Sequence, residues 1–318
     1  MRDLPDFTQY DYQILKCLNE NCSGGRLTYL ANDLVQKQKV IIKQFIFARP
    51  DSDWNSYKSL EREIKNLQTI NHPFIPKYLN SFDSNNGLCL VSEYIDASPL
   101  STKQLEVKQI HEITLKILEI LVYLQSLSNS IVHGDIKPEN ILLDSEGEVY
   151  LIDFGLANTT EKILSVSTAN SGTLGFIPPE SLWGHKLSAN SDLFSLAVTI
   201  YCLLTQTTTK DFSNHVDYST NKIPVSQLKN LISSEFLNWI ETCSQPKSSD
   251  RFINAATALK QLQQINPISI KEKPSSNIQK AHQSNSQLTD SKNFAYRMLT
   301  LVFLLLMSLN TNNLSNSG

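Results

Sequence analysis

Two kinds of hydrophobic pattern divide the chain into a strand-rich first part and a helical second part. Residues 12–94 carry short runs of β-branched and aromatic residues, such as 40–47, which predict mostly strands. Farther along, apolar residues recur densely enough for buried helices, over 107–124 and again over 191–204. We therefore predict an α+β fold in which a small, mainly β part precedes a larger, mainly α part.

One helix is predicted within the first part, over Asp53–Ile70. Its apolar residues recur at helical spacing, at Trp54, Tyr57, Leu60, Ile64 and Leu67. Glu63 falls on the inward edge of this stripe, where a carboxylate needs a partner. Lys43, in the middle of the predicted strand over 40–47, can supply it. We therefore expect a Lys43–Glu63 ion pair rather than an exposed glutamate.

A predicted hairpin gathers polar residues in the second part. Two short apolar strands, 141–144 and 149–152, are separated by a turn. Folding this hairpin places Asn140 beside Asp153, and amide and carboxylate oxygens are ligands suited to Mg²⁺. Asp135 lies one short loop upstream, where it could accept a proton from an attacking hydroxyl group.

The motifs around these residues resemble the catalytic and metal-binding loops of protein kinases. They are His133–Asn140 and Asp153–Gly155, and their order and spacing argue against ordinary surface charges. The resemblance covers residues 12–265 and implies a two-lobe fold with ATP in the cleft. The mostly antiparallel β N-lobe would span 12–94, and the mostly α C-lobe would span 95–265.

The resemblance implies catalytic and metal-binding roles for four residues. Asp135 would orient and deprotonate the acceptor hydroxyl group, and Lys137 would steady the transferring phosphoryl group. Asn140 and Asp153 would hold Mg²⁺, with Mn²⁺ as a substitute. The reaction would be transfer of the γ-phosphoryl group of ATP to serine or threonine hydroxyls of proteins.

The resemblance also implies nucleotide-binding residues in the N-lobe and at the hinge. Lys43, braced by Glu63, would hold the α- and β-phosphates of ATP. The backbone of Glu93 and Ile95 would bond adenine. Ser92 falls at the gatekeeper position, and this small residue predicts a pocket that is open behind the adenine.

The loop expected to cover the phosphates departs from the family pattern. Kinases usually carry G-x-G-x-x-G-x-V there, whereas Asn21, Ser23 and Arg26 occupy the three glycine positions here. Gly24 and Gly25 remain, so a tight turn with exposed amides is expected. The loop looks like a variant found in some cyanobacterial kinases, which narrows the resemblance to bacterial Hanks-type serine/threonine kinases.

The segment Gly172–Glu180 looks like the substrate-binding segment of protein kinases. Glu180 and Arg251 match the buried ion pair that anchors this segment in the family. Lys137 together with Thr173 matches the signature of serine/threonine specificity.

Two further positions concern the catalytic loop. The resemblance implies that Asp192 braces its backbone. Gly134 replaces the arginine that normally pairs with a phosphorylated activation loop. We therefore expect that activity does not require phosphorylation of Ser165, Ser167 or Thr168.

Two alternatives to a serine/threonine protein kinase remain open. The triplet H-G-D also occurs in small-molecule kinases related to aminoglycoside phosphotransferases, which generally lack the Lys137-Pro138 pair. The other alternative is a pseudokinase that acts as a binding module. The unusual phosphate loop favours it, whereas the presence of Lys43, Asp135 and Asp153 argues against it.

Composition constrains the partners and the compartment. The 318 residues are 41% hydrophobic and carry a net charge of −3, which gives no indication of nucleic-acid binding. The cysteines are scattered without metal-type spacing, which favours free thiols in a reducing cytosol. The N-terminus has no apolar signal region. We expect a cytoplasmic kinase domain whose partners are protein substrates, including the protein itself.

The C-terminal residues form two further segments. Residues 266–293 are polar, which predicts a flexible linker. Residues 294–309 are mainly apolar, although a helix over 298–309 would reach only about 18 Å into a hydrocarbon core about 30 Å thick. We expect a short membrane anchor, with an interfacial or self-associating helix as the alternative. Basic residues precede the segment, so the kinase domain would stay on the inner face.

Overall fold

The computed structural model describes residues 4–21, 26–46, 64, 67–154, 174–217 and 220–268. The chain divides into two units, Met1–Lys271 and Glu272–Gly318, and every described residue belongs to the first. The predicted apolar segment over 294–309, and the predicted linker from residue 269 onward, lie outside the described residues. None of the described helices has the length and apolar character needed to cross a membrane.

Five antiparallel strands form the sheet of the N-terminal part. Their bounds are Tyr12–Asn21 (β1), Arg26–Asp33 (β2), Gln38–Phe45 (β3), Tyr78–Ser84 (β4) and Gly87–Glu93 (β5). They lie in the order β1-β2-β3-β5-β4, so β3 is the central strand. The mostly antiparallel β part predicted from the sequence is therefore present.

Alternation along β3 gives this sheet two different faces. Val40 and Ile42 are fully buried in an apolar cluster with Cys89 and Val91 of β5. Because successive side chains of a strand point to opposite faces, Lys43 lies on the other face, where it lines a cavity. The strand predicted over 40–47 is confirmed as far as Phe45, where the observed strand ends.

The helix predicted over residues 53–70 is described at its C-terminal end. Ile64, Leu67 and Gln68 are helical, and Ile64 is buried against a cluster that includes Leu88. Glu63 and the first turns of the predicted helix lie outside the described residues.

Helices form most of the C-terminal part. The described helices are Val107–Ser126 (α1), Pro179–Leu182 (α2), Ser191–Thr205 (α3), Thr209–Phe212 (α4), Ser234–Cys243 (α5) and Ala255–Leu262 (α6). Short 3₁₀ helices lie at Thr8–Tyr10, Leu100–Thr102, Pro138–Asn140, Leu174–Phe176, Val225–Asn230 and Ser248–Asp250. The helices predicted over 107–124 and 191–204 correspond to α1 and α3.

The helix α3 lies at the centre of the C-terminal core. Every residue from Ser191 to Cys202 is buried, as expected of a helix that is apolar on nearly all sides. The helix α1 packs against both α3 and α6, and Leu118, Leu121 and Leu124 of α1 are fully buried there. The elements that carry the candidate site are thus attached to a rigid core.

The predicted hairpin forms and joins this core. Strands β7 (Ile141–Leu143) and β8 (Val149–Leu151) pair antiparallel, and a two-residue strand, β6 (Ser98–Pro99), pairs with β7. The Asp144 carboxylate supports the turn by accepting hydrogen bonds from the backbone N–H groups of Glu146 and Glu148, at 2.9 and 2.8 Å.

Two glycines at hairpin connections, Gly87 at the start of β5 and Gly147 in the turn before β8, give a matched test of the fold. Gly87 has φ +125°, and an added Cβ would lie 2.1 Å from the Phe45 carbonyl oxygen, whereas Gly147 has φ +82° with open space around it. Gly87→Ala should destabilise the protein by more than about 2 kcal/mol, because backbone strain and a steric clash add. Gly147→Ala should cost about 1 kcal/mol from strain alone. Denaturant unfolding checks both, and equal losses would show that the contact with the Phe45 carbonyl oxygen adds nothing to the strain at Gly87.

Candidate active site

A buried carboxylate at the start of α3 holds the loop that precedes β7. Asp192 accepts hydrogen bonds from the backbone N–H groups of His133 and Gly134, each at 2.8 Å. Gly134 has φ +76°, a left-handed conformation that suits glycine. The bracing role expected for Asp192 therefore matches the geometry.

The His133 ring joins this loop to the segment that follows β8. Its Nδ1 accepts a hydrogen bond from the Asp135 N–H at 3.3 Å, so Nε2 carries the proton and donates to the Ile152 carbonyl oxygen at 3.1 Å. Burial lowers the pKa of His133, which favours the neutral ring that this pattern requires. The ring also lies against Phe154, with centroids 4.7 Å apart.

The Asp135 carboxylate is held by two neighbouring side chains. Lys137 Nζ donates to both of its oxygens, at 3.0 and 2.8 Å. Asn140 Nδ2 donates to Asp135 Oδ2 and to the Asp135 carbonyl oxygen, both at 2.8 Å. Burial raises the pKa of Asp135, while the Lys137 ammonium acts in the opposite direction. The carboxylate is thus both oriented and made a better proton acceptor.

The hairpin brings the two predicted metal-binding residues to its open end. The Ile152 N–H donates to the Asn140 carbonyl oxygen at 2.9 Å, just beyond the last β7–β8 pair. Asp153 follows directly, with φ +63°, which is a strained conformation for a residue other than glycine. Because Asn140 turns its Nδ2 toward Asp135, its Oδ1 is the atom available to a metal ion.

Two cations from the N-terminal sheet approach the Asp153 carboxylate. Lys43 forms a hydrogen-bonded ion pair with it, and Arg26 Nη1 lies 3.9 Å from its Oδ1. Burial acts to raise the pKa of Asp153, but the charges of Lys43 and Arg26 outweigh this effect and hold the pKa well below its ordinary value. The carboxyl group is therefore ionised at neutral pH.

Lys43 has a carboxylate partner among the described residues. Within the described residues, Lys43 pairs with Asp153, while the predicted partner Glu63 lies outside them, as do Gly24 and Gly25. Sequence reasoning missed Arg26 as a member of the site. The signal was present in the alternation of β2, because Arg26 shares the cavity face with Thr28 and Leu30, two and four residues later.

A cavity of about 410 Å³ lies beside these charges. Its volume and its mixture of apolar walls with a few polar groups are typical of small-molecule sites. Apolar lining residues include Leu18, Leu30, Ile41, Leu90 and Leu142, and Lys43 and Asp153 lie on its border. The cavity could hold a planar apolar group next to a charged one.

The residues predicted to bond adenine border the same cavity. Ser92, Glu93 and Ile95 all line it. The Glu93 N–H donates to the Lys77 carbonyl oxygen at 2.9 Å, which ties the end of β5 to the segment before β4. Leu67 and Ile70 also line the cavity, which is consistent with the open pocket expected from a small residue at position 92.

A buried ion pair ties α2 to the segment before α6. Arg251 donates to both oxygens of Glu180, at 2.8 and 2.7 Å, and the Ser191 hydroxyl donates to the same carboxylate at 2.7 Å. Burial acts to raise the pKa of Glu180, but the hydrogen bonds and charge of Arg251 hold it below its ordinary value. The geometry agrees with the ion pair expected from the resemblance. Thr173, expected to contribute to serine/threonine specificity, lies outside the described residues.

Comparison with known protein families shows to which family the chain belongs. A model described as protein kinase domain matches residues 24–267, which is more than half of the chain. The chain therefore belongs to the protein kinase family.

Curated relatives are also kinases. Serine/threonine-protein kinase D of Synechocystis sp. is 31% identical over 264 residues, which cover 77% of this chain and 50% of that protein. Mitogen-activated protein kinase kinase 1c of Physcomitrium patens is 30% identical over 212 residues, which cover 61% of each. The chain thus spans about half to three-fifths of the length of these two relatives.

A solved structure shows the same fold. The structure of Rad53 1-466 in complex with AMP-PNP aligns with a TM-score of 0.62 at 22% identity, covering 80% of this chain and 65% of that one. The kinase-like α+β fold predicted from the sequence is therefore confirmed.

The Glu180–Arg251 pair gives a test of how the C-terminal part is held together. Arg251→Met should destabilise the protein by about 3–5 kcal/mol at pH 7, because it leaves a buried carboxylate without its cation. Adding Glu180→Gln should recover part of the loss, since a neutral amide needs no counter-ion. Urea unfolding of the single and double variants checks this.

The pH dependence of the single variant follows from the same argument. Without Arg251, burial would raise the pKa of Glu180, and protonation would then relieve the buried charge. The penalty of Arg251→Met should shrink as the pH falls toward 4.5, the ordinary value for glutamate. A penalty that is independent of pH and unchanged by Glu180→Gln would contradict the role of the ion pair.

Proposed function

We propose that this protein is a serine/threonine protein kinase that transfers the γ-phosphoryl group of ATP to protein hydroxyls. One observation carries the proposal: Asp135, Lys137 and Asn140 form one hydrogen-bonded network at the open end of a hairpin that also carries Asp153. A proton acceptor, a cation and two oxygen ligands for a metal ion are what phosphoryl transfer requires.

Asp135 and Lys137 act on the acceptor side of the reaction. As the serine or threonine oxygen attacks, Asp135 accepts the hydroxyl proton, and its raised pKa helps it to do so. Lys137, within 3.0 Å of the carboxylate, lies close enough to stabilise charge on the transferring group. The protein needs to contribute little covalent chemistry to this reaction. Positioning of the reacting groups by this network therefore accounts for much of the rate.

Asn140 and Asp153 would hold Mg²⁺, or Mn²⁺ in its place, through Oδ1 and the carboxylate. Such an ion supplies charge neutralisation at the β- and γ-phosphates. The ionised state of Asp153 and the orientation of the Asn140 amide both fit this use. Lys43 would bind the α- and β-phosphates, and the backbone at Glu93 and Ile95 would bond adenine.

The remaining assignments are part of the same proposal. Glu63 would brace Lys43, and Gly24 and Gly25 would supply amides to the phosphates. We propose a kinase domain over residues 12–265, with the lobe boundary between 94 and 95. The membrane anchor over 294–309 stays a sequence prediction.

Two points support specificity for serine and threonine, and a role in bacterial signalling is part of the same proposal. Lys137 is the residue that the serine/threonine class carries at this position, and the Synechocystis relative is named as a serine/threonine kinase. The kinase-type anchor at Glu180 and Arg251 argues against a small-molecule kinase, whose members generally lack the segment it anchors. The intact Asp135 network argues against a pseudokinase.

Replacing the proton acceptor tests the function. Asp135→Asn should lower phosphate transfer from labelled ATP and Mg²⁺ by roughly 10²–10⁴-fold, with label appearing on serine or threonine of a generic basic protein or of the kinase itself. Asp11→Asn, in an exposed turn, is the matched control and should keep wild-type activity. Label on an aminoglycoside alone would favour the small-molecule alternative, and ATP binding without transfer would favour the pseudokinase.

The glycine in the catalytic loop generates a prediction about regulation. Because Gly134 offers no guanidinium to a phosphate, alanine at Ser165, Ser167 and Thr168 together should leave the rate nearly unchanged. These three residues lie outside the described ones. Steady-state kinetics of the triple variant checks this, and a loss greater than about tenfold, or about 1.4 kcal/mol, would show that phosphorylation is needed.

A further inference from the structure

We propose that Arg26 is a second phosphate-binding cation of the nucleotide site, acting beside Lys43. The inference rests on the proposed function, because it concerns the same cleft. In this proposal one side chain binds the phosphates, whereas glycine-rich loops bind them with backbone amides.

The strand register places Arg26 on the cleft face of the sheet. Along the β2–β3 pairing, Thr28 lies opposite Lys43 and Arg26 lies opposite Phe45. Since side chains two residues apart share a face, Arg26 and Lys43 belong to the same face. Both line the cavity beside Asp153.

Two contacts hold the guanidinium group at this end of the cavity. Its central carbon lies 5.3 Å from the centroid of the Phe45 ring, within the range of a cation–π contact. Its Nη1 lies 3.9 Å from Asp153 Oδ1, which is an ion-pair distance but too long for a hydrogen bond. Neither of these contacts within the described part of the chain is a hydrogen bond, so the group is positioned while its N–H donors can bind other oxygens.

The local charges favour a polyanion at this position. Among the described residues, Lys43 and Arg26 both approach the Asp153 carboxylate, so two cations face one carboxylate at this end of the cavity. The Asp135–Lys137 pair is neutral as a whole, and Glu93 and Glu139 also line the cavity. The side chain of Arg26 is 29% exposed, so a ligand can reach it.

The chemistry of the side chain points to phosphate. A guanidinium group presents paired N–H donors in a plane, which match two oxygens of one phosphate group, and it stays charged at all physiological pH values. The contact would involve the phosphate chain and not the base or the ribose. Its contribution to affinity should therefore depend on the phosphates of the ligand.

Binding measurements on the full chain test the proposal. Calorimetric titrations with ATP, ADP and adenosine, each with Mg²⁺, would compare the wild type with Arg26→Gln and Arg26→Lys. Arg26→Gln should weaken ATP and ADP binding by about tenfold and leave adenosine binding within about twofold. Arg26→Lys should recover part of the loss, because it keeps the charge without the paired donors. Lys37→Gln, an exposed cation in the β2–β3 turn, is the matched control and should bind all three as the wild type does.

The possible outcomes separate this proposal from the proposed function. Unchanged ATP affinity in Arg26→Gln would overturn the role of Arg26 while leaving the nucleotide site intact. An equal loss for adenosine would overturn it as well, since that result means that Arg26 only packs on Phe45 to shape the sheet. Failure of the wild type to bind any of the three ligands would overturn both proposals.

Discussion

The loop that carries Asp135 depends on one buried interaction, between the Asp192 carboxylate and two backbone N–H groups of the loop. Burial is costly for this group and raises its pKa, and the hydrogen bonds from His133 and Gly134 offset that cost. Because α3 is enclosed by the core, the loop acquires the rigidity of the core. The helix α3 thus helps to orient Asp135 through Asp192, which holds the two residues that precede Asp135.

The cleft is organised by complementary charges on its two sides. The N-terminal sheet contributes cations, Lys43 and Arg26, and the loops of the C-terminal part contribute carboxylates, Asp135 and Asp153. Asp153 therefore orients the cations of the opposite side while remaining ionised itself. This arrangement suits the ligand that we propose, ATP with a metal ion, since each of its components would meet an oppositely charged group.

Local signals in the sequence predicted much of the fold. The strand over 40–47, the helices over 107–124 and 191–204 and the hairpin follow from periodicity and turn residues. The helices and the hairpin form, and the strand forms as far as Phe45. The hairpin also explains why Asn140 contacts Ile152, the residue before Asp153. A hairpin is formed by residues close in sequence, so a local pattern is enough to predict this contact.

Contacts between distant residues were harder to predict. The pair Glu180–Arg251 was expected only through the family resemblance, since no local pattern relates residues so far apart. The approach of Arg26 to Asp153 depends on strand register and on the packing of the sheet against the loops. Noting that Arg26 occupies one of the family's three glycine positions was therefore not enough to predict this contact. The pKa shifts depend on burial, which is a property of the folded chain.

The His133 ring has a mechanical consequence. The ring contacts Asp135 through one nitrogen, Ile152 through the other and Phe154 through its face. It therefore fixes the separation between the loop that carries Asp135 and the segment that carries Asp153. The proposed proton acceptor, Asp135, and the proposed metal ligand, Asp153, are thereby connected through one ring. In the proposed reaction, alignment of the nucleotide with its acceptor would then depend on how closely the strand that carries Lys43 approaches this connected pair.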